Sequence, residues 1–436
     1  MNYNKFSNWI SKQIKTSKRL NPVITAYIIF LMASSRKHTL TAAARFSDSS
    51  KSKYHYFLKD HSQVAVYALN ELSKKQARQF SKINKGLSTG NLPWNIAISI
   101  DATIQNRSSL HTQNSKRFNH GKGFVVGHQW TNIILHINDK VIPLPPIPFY
   151  TREYCKQNKI EYQTENTRVV EYLSQLSLEE YIGPHNPEKV VVLADSGYDD
   201  QKIQKAIAVK EWNFIIALKS TRNVKTETAY HTTKKTEDWK SVTVTFKNNR
   251  KIGWKTIQAP KNGGKKKRME FRVRQITGYL NNFGKAQLIC SQFKTKSNKG
   301  RRKHLACNDL KATPRQIVIG YRLRWAIEIF HKEIKMFLGF EDVSAKYFSS
   351  VMSHVYWVYY AYILLNSSPP GIPIGMKSMA EKQLTINNII ENKSLSVINQ
   401  ILTQVKGPQR LKTLIQKAIT ECSIVESLSL SGLTGF

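Results

Sequence analysis

The chain has 436 residues, 41% of them apolar, which allows a sizeable core and excludes a disordered polypeptide. Its 67 Lys and Arg against 29 Asp and Glu leave a formal charge of +38. Such an excess repels itself unless a polyanion neutralises it, and nucleic acid is the expected polyanion. A membrane partner is not expected, because no basic amphipathic helix has a clean apolar face. The cysteines Cys155, Cys290, Cys307 and Cys422 include no CxxC pair. That argues against a zinc site and for a reducing, cytoplasmic setting.

Residues 1–90 read as a helical N-terminal DNA-binding domain. Phe6, Trp9, Ile10 and Ile14 share one helical face. The apolar run 23–33 follows three basic residues as a signal peptide would, but it is short, late and lacks a cleavage site. With Asn21-Pro22 as N-cap and N1, it reads as a buried helix. Residues 39–59 outline a helix-turn-helix in which Lys51, Lys53 and His55 face DNA and Phe57 and Leu58 pack inward.

Strand patterns begin near residue 94. Residues 94–101 alternate, with Asp101 at the end of the run. Runs at 124–137 and 140–147 meet at Asn138-Asp139, a hairpin turn. A helix is expected at about 164–180. Residues 190–194 form a fully apolar strand ending at Asp195. A helix follows at about 199–210, capped by Asp199 and Asp200, and then a strand at 213–218. Residues 91–218 and 312–366 are expected to make one α/β core.

Between them, 219–311 reads as a basic β-rich insertion. Residues 219–303 hold 24 Lys and Arg against 4 acidic residues, with strands at 242–246, 269–276 and 286–289. The loops bearing Lys265, Lys266, Lys267 and Arg268, and Arg301 and Arg302, have phosphate-seeking character. One long helix is expected over 314–338, with Thr313 as N-cap, Pro314 at N1, Gln316 completing a capping box and Gly339 as its stop. Residues 367–436 make a helical C-terminal region, most clearly over 375–425.

On the 314–338 helix, Tyr321, Arg324, Glu328 and Lys335 fall within an arc of roughly 60°. Glu333 falls on another face. Asp101 and Asp195 are carboxylates at or near the ends of apolar strands, costly there unless a cation compensates them. Hard oxygen donors suit magnesium, with manganese tolerated, and two such ions can drive an in-line phosphoryl transfer. His128 and His331 are candidate acid-base groups, but two-metal chemistry needs no histidine, and His331 is expected beside DNA as a bystander.

Tyr321-x2-Arg324-x3-Glu328-x6-Lys335 resembles the YREK signature of bacterial insertion-sequence DDE transposases. Asp195-x-Gly197-Tyr198 resembles the motif around that family's second aspartate. The similarity covers about residues 90–345 in order and spacing. The resemblance implies an RNase H-like mixed sheet with an inserted β-rich domain and helical N- and C-terminal parts. It implies the triad Asp101, Asp195 and Glu328 as both catalytic groups and ligands of two Mg2+ ions. Tyr321, Arg324 and Lys335 would contact phosphates of double-stranded DNA near the cut, in a nucleoid-associated homodimer that pairs two element ends. An insertion-domain Trp can stack on a flipped base in this family; Trp239 and Trp254 are candidates, with core packing the better expectation for each. The implied reaction is cleavage at the element end followed by strand transfer to target DNA. A related endonuclease without strand transfer, or an inactive DNA-binding regulator, are the alternatives.

Overall fold

The structure, a computed structural model, describes residues 3–404 except 35–36, 83–86, 88–90, 108–109, 122, 139, 184–188, 228–238, 250–251, 261–267, 295–298, 374 and 377. The N-terminal part is helical: α1 (Tyr3–Gln13), α2 (Asn21–Ala33), α3 (Leu40–Phe46), α4 (Lys51–Asp60) and α5 (Ser62–Ser81). Phe6 and Ile10 of α1 are buried, as their helical spacing requires. In α2 every residue from Tyr27 to Ala33 is buried, so the apolar run is core. Its N-cap is Leu20 rather than Asn21. The Asn21 side chain is engaged instead by Ser11 and by the Ile14 carbonyl. No helix among the described residues is long and apolar enough to cross a membrane.

A mixed sheet follows. Its strands are β1 (Ile96–Asn106), β2 (Lys116–His120), β3 (Gly123–Ile137), β4 (Lys140–Pro143), β5 (Ile147–Pro148), β6 (Val190–Ala194) and β7 (Asn213–Ala217). Helices α6 (Arg152–Asn158), α7 (Glu165–Gln175), α8 (Glu179–Ile182) and α9 (Gln201–Val209) connect them. The expected 164–180 helix is thus two, broken after Leu176, and the 140–147 run is two short strands. Only Asp200 caps α9. Asp199 is buried instead, where it accepts from the Lys219 amide and from Gln204.

The basic segment contributes β8 (Asn223–Thr226), β9 (Lys240–Ser241), α10 (Val242–Asn248), β10 (Lys255–Pro260), β11 (Arg268–Leu280), β12 (Gly284–Lys294) and β13 (Lys299–Cys307). Residues 242–246, expected as a strand, begin α10. Ser241 caps this helix by accepting from the Val244 amide, and Val242, Thr245 and Phe246 form its buried i, i+3, i+4 stripe. Residues 299–303, expected as a loop, are strand. The described strands join one sheet in the order β2-β3-β1-β6-β7-β13-β12-β11-β8-β9. Strands β1, β6 and β7 are mutually parallel, and β13 pairs antiparallel with β7. The basic strands therefore continue the core sheet.

The remaining helices are α11 (Pro314–Arg322), α12 (Trp325–Phe337), α13 (Phe348–Asn366) and α14 (Met379–Gln404). The helix expected over 314–338 is interrupted: the amides of Leu323 and Arg324 bond to Gly320 and Tyr321, an i→i−3 pattern. The Thr313 capping box and Pro at the start of α11 are present. Gly339 closes α12 at φ +63°, and a Cβ there would lie 2.4 Å from the His38 Cβ, so only glycine fits. Helices α2, α4, α5 and α13 share a core with the inner faces of α12 and β3. A mixed α/β architecture with helical terminal parts, the arrangement of an RNase H-like protein, results.

Three buried histidines bind this scaffold. His354 accepts from the Tyr27 hydroxyl at Nδ1 (2.8 Å) and donates from Nε2 to the Gly339 carbonyl (2.9 Å). Burial lowers its pKa to about 3, and those of His128 and His136 to about 4. Below the ordinary value near 6.5, the unfolded chain then binds more protons than the folded one. This stability is complete above that value and is lost as pH falls toward 4. The unfolding free energy from urea titration should be lower at pH 5 than at pH 7.5, by a net of about 3 kcal/mol after raised carboxyls such as Asp199 offset part of the loss, and the midpoint should fall with it. An equal midpoint at the two pH values would contradict this.

Candidate functional site

Asp101 is not at a strand end. It lies midway along β1, where pairing with β6 stops: Ile100 opposes Ala194, and beyond it β1 pairs only with β3. Asp195 follows β6 directly and caps a short 3-10 turn at Ser196–Tyr198, accepting the Gly197 amide at 2.8 Å. A Cβ on Gly197 would stand 3.0 Å from that carboxylate oxygen, which explains a glycine there. The parallel pairing of β1 with β6 thus carries both aspartates to one end of the sheet.

Glu328 reaches the same place from α12. Arg324 connects it to β1: one guanidinium nitrogen donates to Asp101 Oδ2 at 2.9 Å and another to Glu328 Oε1. The Asp101 carboxyl is pushed up to about 6 by burial, opposed by Arg324 and reinforced by the negative charges of Asp195 and Glu328. Asp195 and Glu328 are therefore both within electrostatic reach of Asp101, and all three of Arg324. Burial opposes the charge of Arg324, but Tyr321 and the three carboxylates outweigh it and raise its pKa. Its guanidinium also lies 5.8 Å from the Tyr321 ring centre.

Among the described residues no three His, Cys, Asp or Glu side chains already surround one point as a metal cage. A guanidinium stands between two of the carboxylates instead. The donors are nevertheless hard oxygens, and the position is one where a cation is stabilised, since Arg324 occupies it as one.

Other expected residues are distributed as follows. Lys335 donates to the Ile104 carbonyl (2.7 Å), a few residues along β1 from Asp101, and pairs with Glu341 (3.2 Å). Lys51 and Lys53 are exposed on α4, which packs inward through Tyr54, Phe57 and Leu58. Lys265, Lys266 and Lys267 lie outside the described residues, as does the Arg268 side chain. Arg301 is exposed on β13. Arg302 stacks on Trp254, with Arg272 and Arg274, on the opposite face of the sheet from Tyr321. Trp254 packs against the core beneath that cluster.

Several neighbours were missed. The Lys303 ammonium lies 5.1 Å from the Tyr321 ring centre and within electrostatic reach of Glu328 and Asp195. Strand alternation would have separated it from Arg302, had 299–303 been read as strand. Glu165 accepts from Tyr198 (2.7 Å), Thr131 (2.9 Å) and Gln129 (2.5 Å), tying the Asp195 turn to β3. Asn132, opposite Asp101, donates to His331 Nε2 (2.7 Å) and accepts from Tyr359. Burial, with the nearby Lys335 and Arg324 charges, lowers the His331 pKa to about 3, so this ring is neutral. None of these carries a local motif.

Residues 163–364 match the family model of the transposase DDE domain. The match supports a transposase of the DDE type. It contains Asp195, Tyr321, Arg324, Glu328 and Lys335, and it begins after Asp101. The grouping of Asp101 with these residues therefore rests on the β1–β6 pairing and on its contact with Arg324. No curated protein matches the chain.

Proposed function

We propose that the chain is an insertion-sequence transposase that cuts DNA at the element's ends and joins the freed 3′ ends to target DNA. The observation that carries this reading is the meeting of Asp101 and Glu328 on one guanidinium, with Asp195 in electrostatic reach. Asp101, Asp195 and Glu328 are the groups that would hold two divalent ions, Mg2+ or Mn2+, and such ions, when bound, activate the attacking oxygen and stabilise the leaving one. Arg324 would release the carboxylates and turn to a phosphate oxygen, for which its planar fork is suited. Tyr321 and Lys303 would flank that phosphate, and Lys335 fixes α12 against β1 while offering a second cation. A homodimer pairing two ends belongs to the same reading.

The decisive experiment incubates pre-cleaved element ends with a supercoiled plasmid and Mg2+. Joined products are expected; cleavage without joining would replace the transposase by an endonuclease, and neither would leave a DNA-binding regulator. A second measurement concerns the basic strands. Lys303→Ala should lower the cleavage rate by about 10-fold or more, as removal of a cation beside a developing charge does, while Arg302→Ala should alter it less than about threefold. Equal effects would remove Lys303 from the site.

A further inference from the structure

The sheet has an exposed arm that the proposed chemistry does not use. Past Asp101, strands β1 and β3 run on together to the Asn106–Gly127 pair, and β2 then takes over as the partner of β3 out to Gly123. The arm leaves the sheet at the end where the carboxylates gather, because β6 stops at Ala194. Its root is fixed. Gln105 donates to the Phe340 carbonyl, Arg107 to the Val343 carbonyl, and the Gln113 amide to the Lys346 carbonyl (2.9 Å). Asn114 donates to the Phe149 carbonyl at 2.8 Å.

The outer part is exposed and basic. Between Asp101 and Asp139 the sequence contains no acidic residue. Register places Arg117 opposite Val126 and Asn119 opposite Phe124, and alternation puts these four side chains on the face of the sheet that bears Asp101. Arg117, Asn119 and Phe124 are exposed, Phe124 at 58%. The Arg117 guanidinium lies 4.8 Å from the Phe124 ring centre, and the Lys116 ammonium 4.8 Å from that of Phe149. Neither cation forms an ion pair with an acidic side chain among the described residues. An exposed aromatic ring under an arginine on a two-stranded ribbon would be costly to leave bare, and it matches a polyanion in charge.

We infer that the β2–β3 ribbon is a duplex-DNA-binding arm that grips the backbone on the opposite side of the reacting phosphate from the basic strands β8–β13. Strand order supports this side: β2 ends the sheet at one edge, the basic strands lie toward the other, and β1 with β6 stands between. From the Asp101 level, six to eight residues along β3 reach the Arg117 and Phe124 levels, roughly 20–27 Å, or about six to eight base pairs. The inference rests on the DNA reading above and adds to it a second contact zone.

The test uses the full chain and a 40-base-pair duplex of random sequence, with Kd measured from 50 to 200 mM KCl. The double variant Lys116→Ala/Arg117→Ala should bind about 10-fold more weakly at the low-salt end, with the log Kd–log salt slope reduced by about two. Phe124→Ala should weaken binding severalfold with an unchanged slope. Lys202→Ala/Lys205→Ala on α9 is the charge-matched control, and thermal melting of each variant checks its fold. A ribbon variant with the slope of the wild type or of the control overturns the arm alone. Absence of duplex binding by the wild type would overturn both the arm and the function proposed above.

Discussion

Asp101→Asn is expected to reduce cleavage of an element end by at least about 10³-fold while leaving DNA affinity within about threefold. The substitution preserves shape. The remaining side-chain oxygen can still accept from the Ala102 amide, as Asp101 Oδ1 does at 3.0 Å, and β1 keeps its ladders to β3 and β6. What is lost is an anionic oxygen in a place where burial already disfavours the charge and lifts the pKa to about 6. A neutral amide there relieves desolvation and like-charge repulsion but gives up the bond that Oδ2 accepts from Arg324, so stability should change by no more than about 2 kcal/mol. DNA affinity rests on cations distributed over the surface and should be little affected. The measurement is single-turnover cleavage with Mg2+, beside melting and duplex binding of the same preparation. A variant that cuts within about tenfold of the wild type would show that the acidic cluster does not seat the reaction.

How far the sequence announced this arrangement can be argued residue by residue. The strand 190–194 was legible because a run of five apolar residues ending in Asp has few alternatives, and its end fixes Asp195. Glu328 was legible through its spacing from Tyr321 and Arg324, although the assumption of one continuous helix was wrong. The i→i−3 turn at Leu323–Arg324 starts at Gly320, but a lone glycine inside a helical pattern does not mark a break, and the contact of Arg324 with Asp101 is a long-range term that local propensity cannot see. In the sequence Asp101 reads as at or near a strand end because alternation becomes less apolar after Ile100. The strand continues because β3 keeps pairing with it, which is again a tertiary fact. Residues 242–246 alternate like a strand, yet Ser241 supplies an N-cap and the turn is helical. Glu165 and Asn132 were invisible for a related reason: each gains its meaning from partners dozens to hundreds of residues away.

Arg324→Ala is expected to bring two effects of opposite kind: about 10²-fold slower cleavage, and a larger thermal stabilisation by added Mn2+ than the wild type shows. In the wild type the guanidinium is the cation that compensates Asp101 and Glu328, with 11% of its side chain exposed. Removing it leaves like charges facing one another. The cost should be about 2 kcal/mol, less than for a fully buried pair, because Glu328 is 32% exposed and water screens it. A divalent ion entering the variant meets free carboxylates, whereas in the wild type it must first displace a bidentate arginine, so the variant gains more per added Mn2+. Arg324→Lys should not restore cleavage, since an ammonium on a flexible stem cannot span two carboxylates or present a planar fork to phosphate. Equal melting shifts with Mn2+ in wild type and variant would mean that the arginine and the metal do not share a position. Arg324 would then be a packing residue whose contact with both acids is incidental to the chemistry.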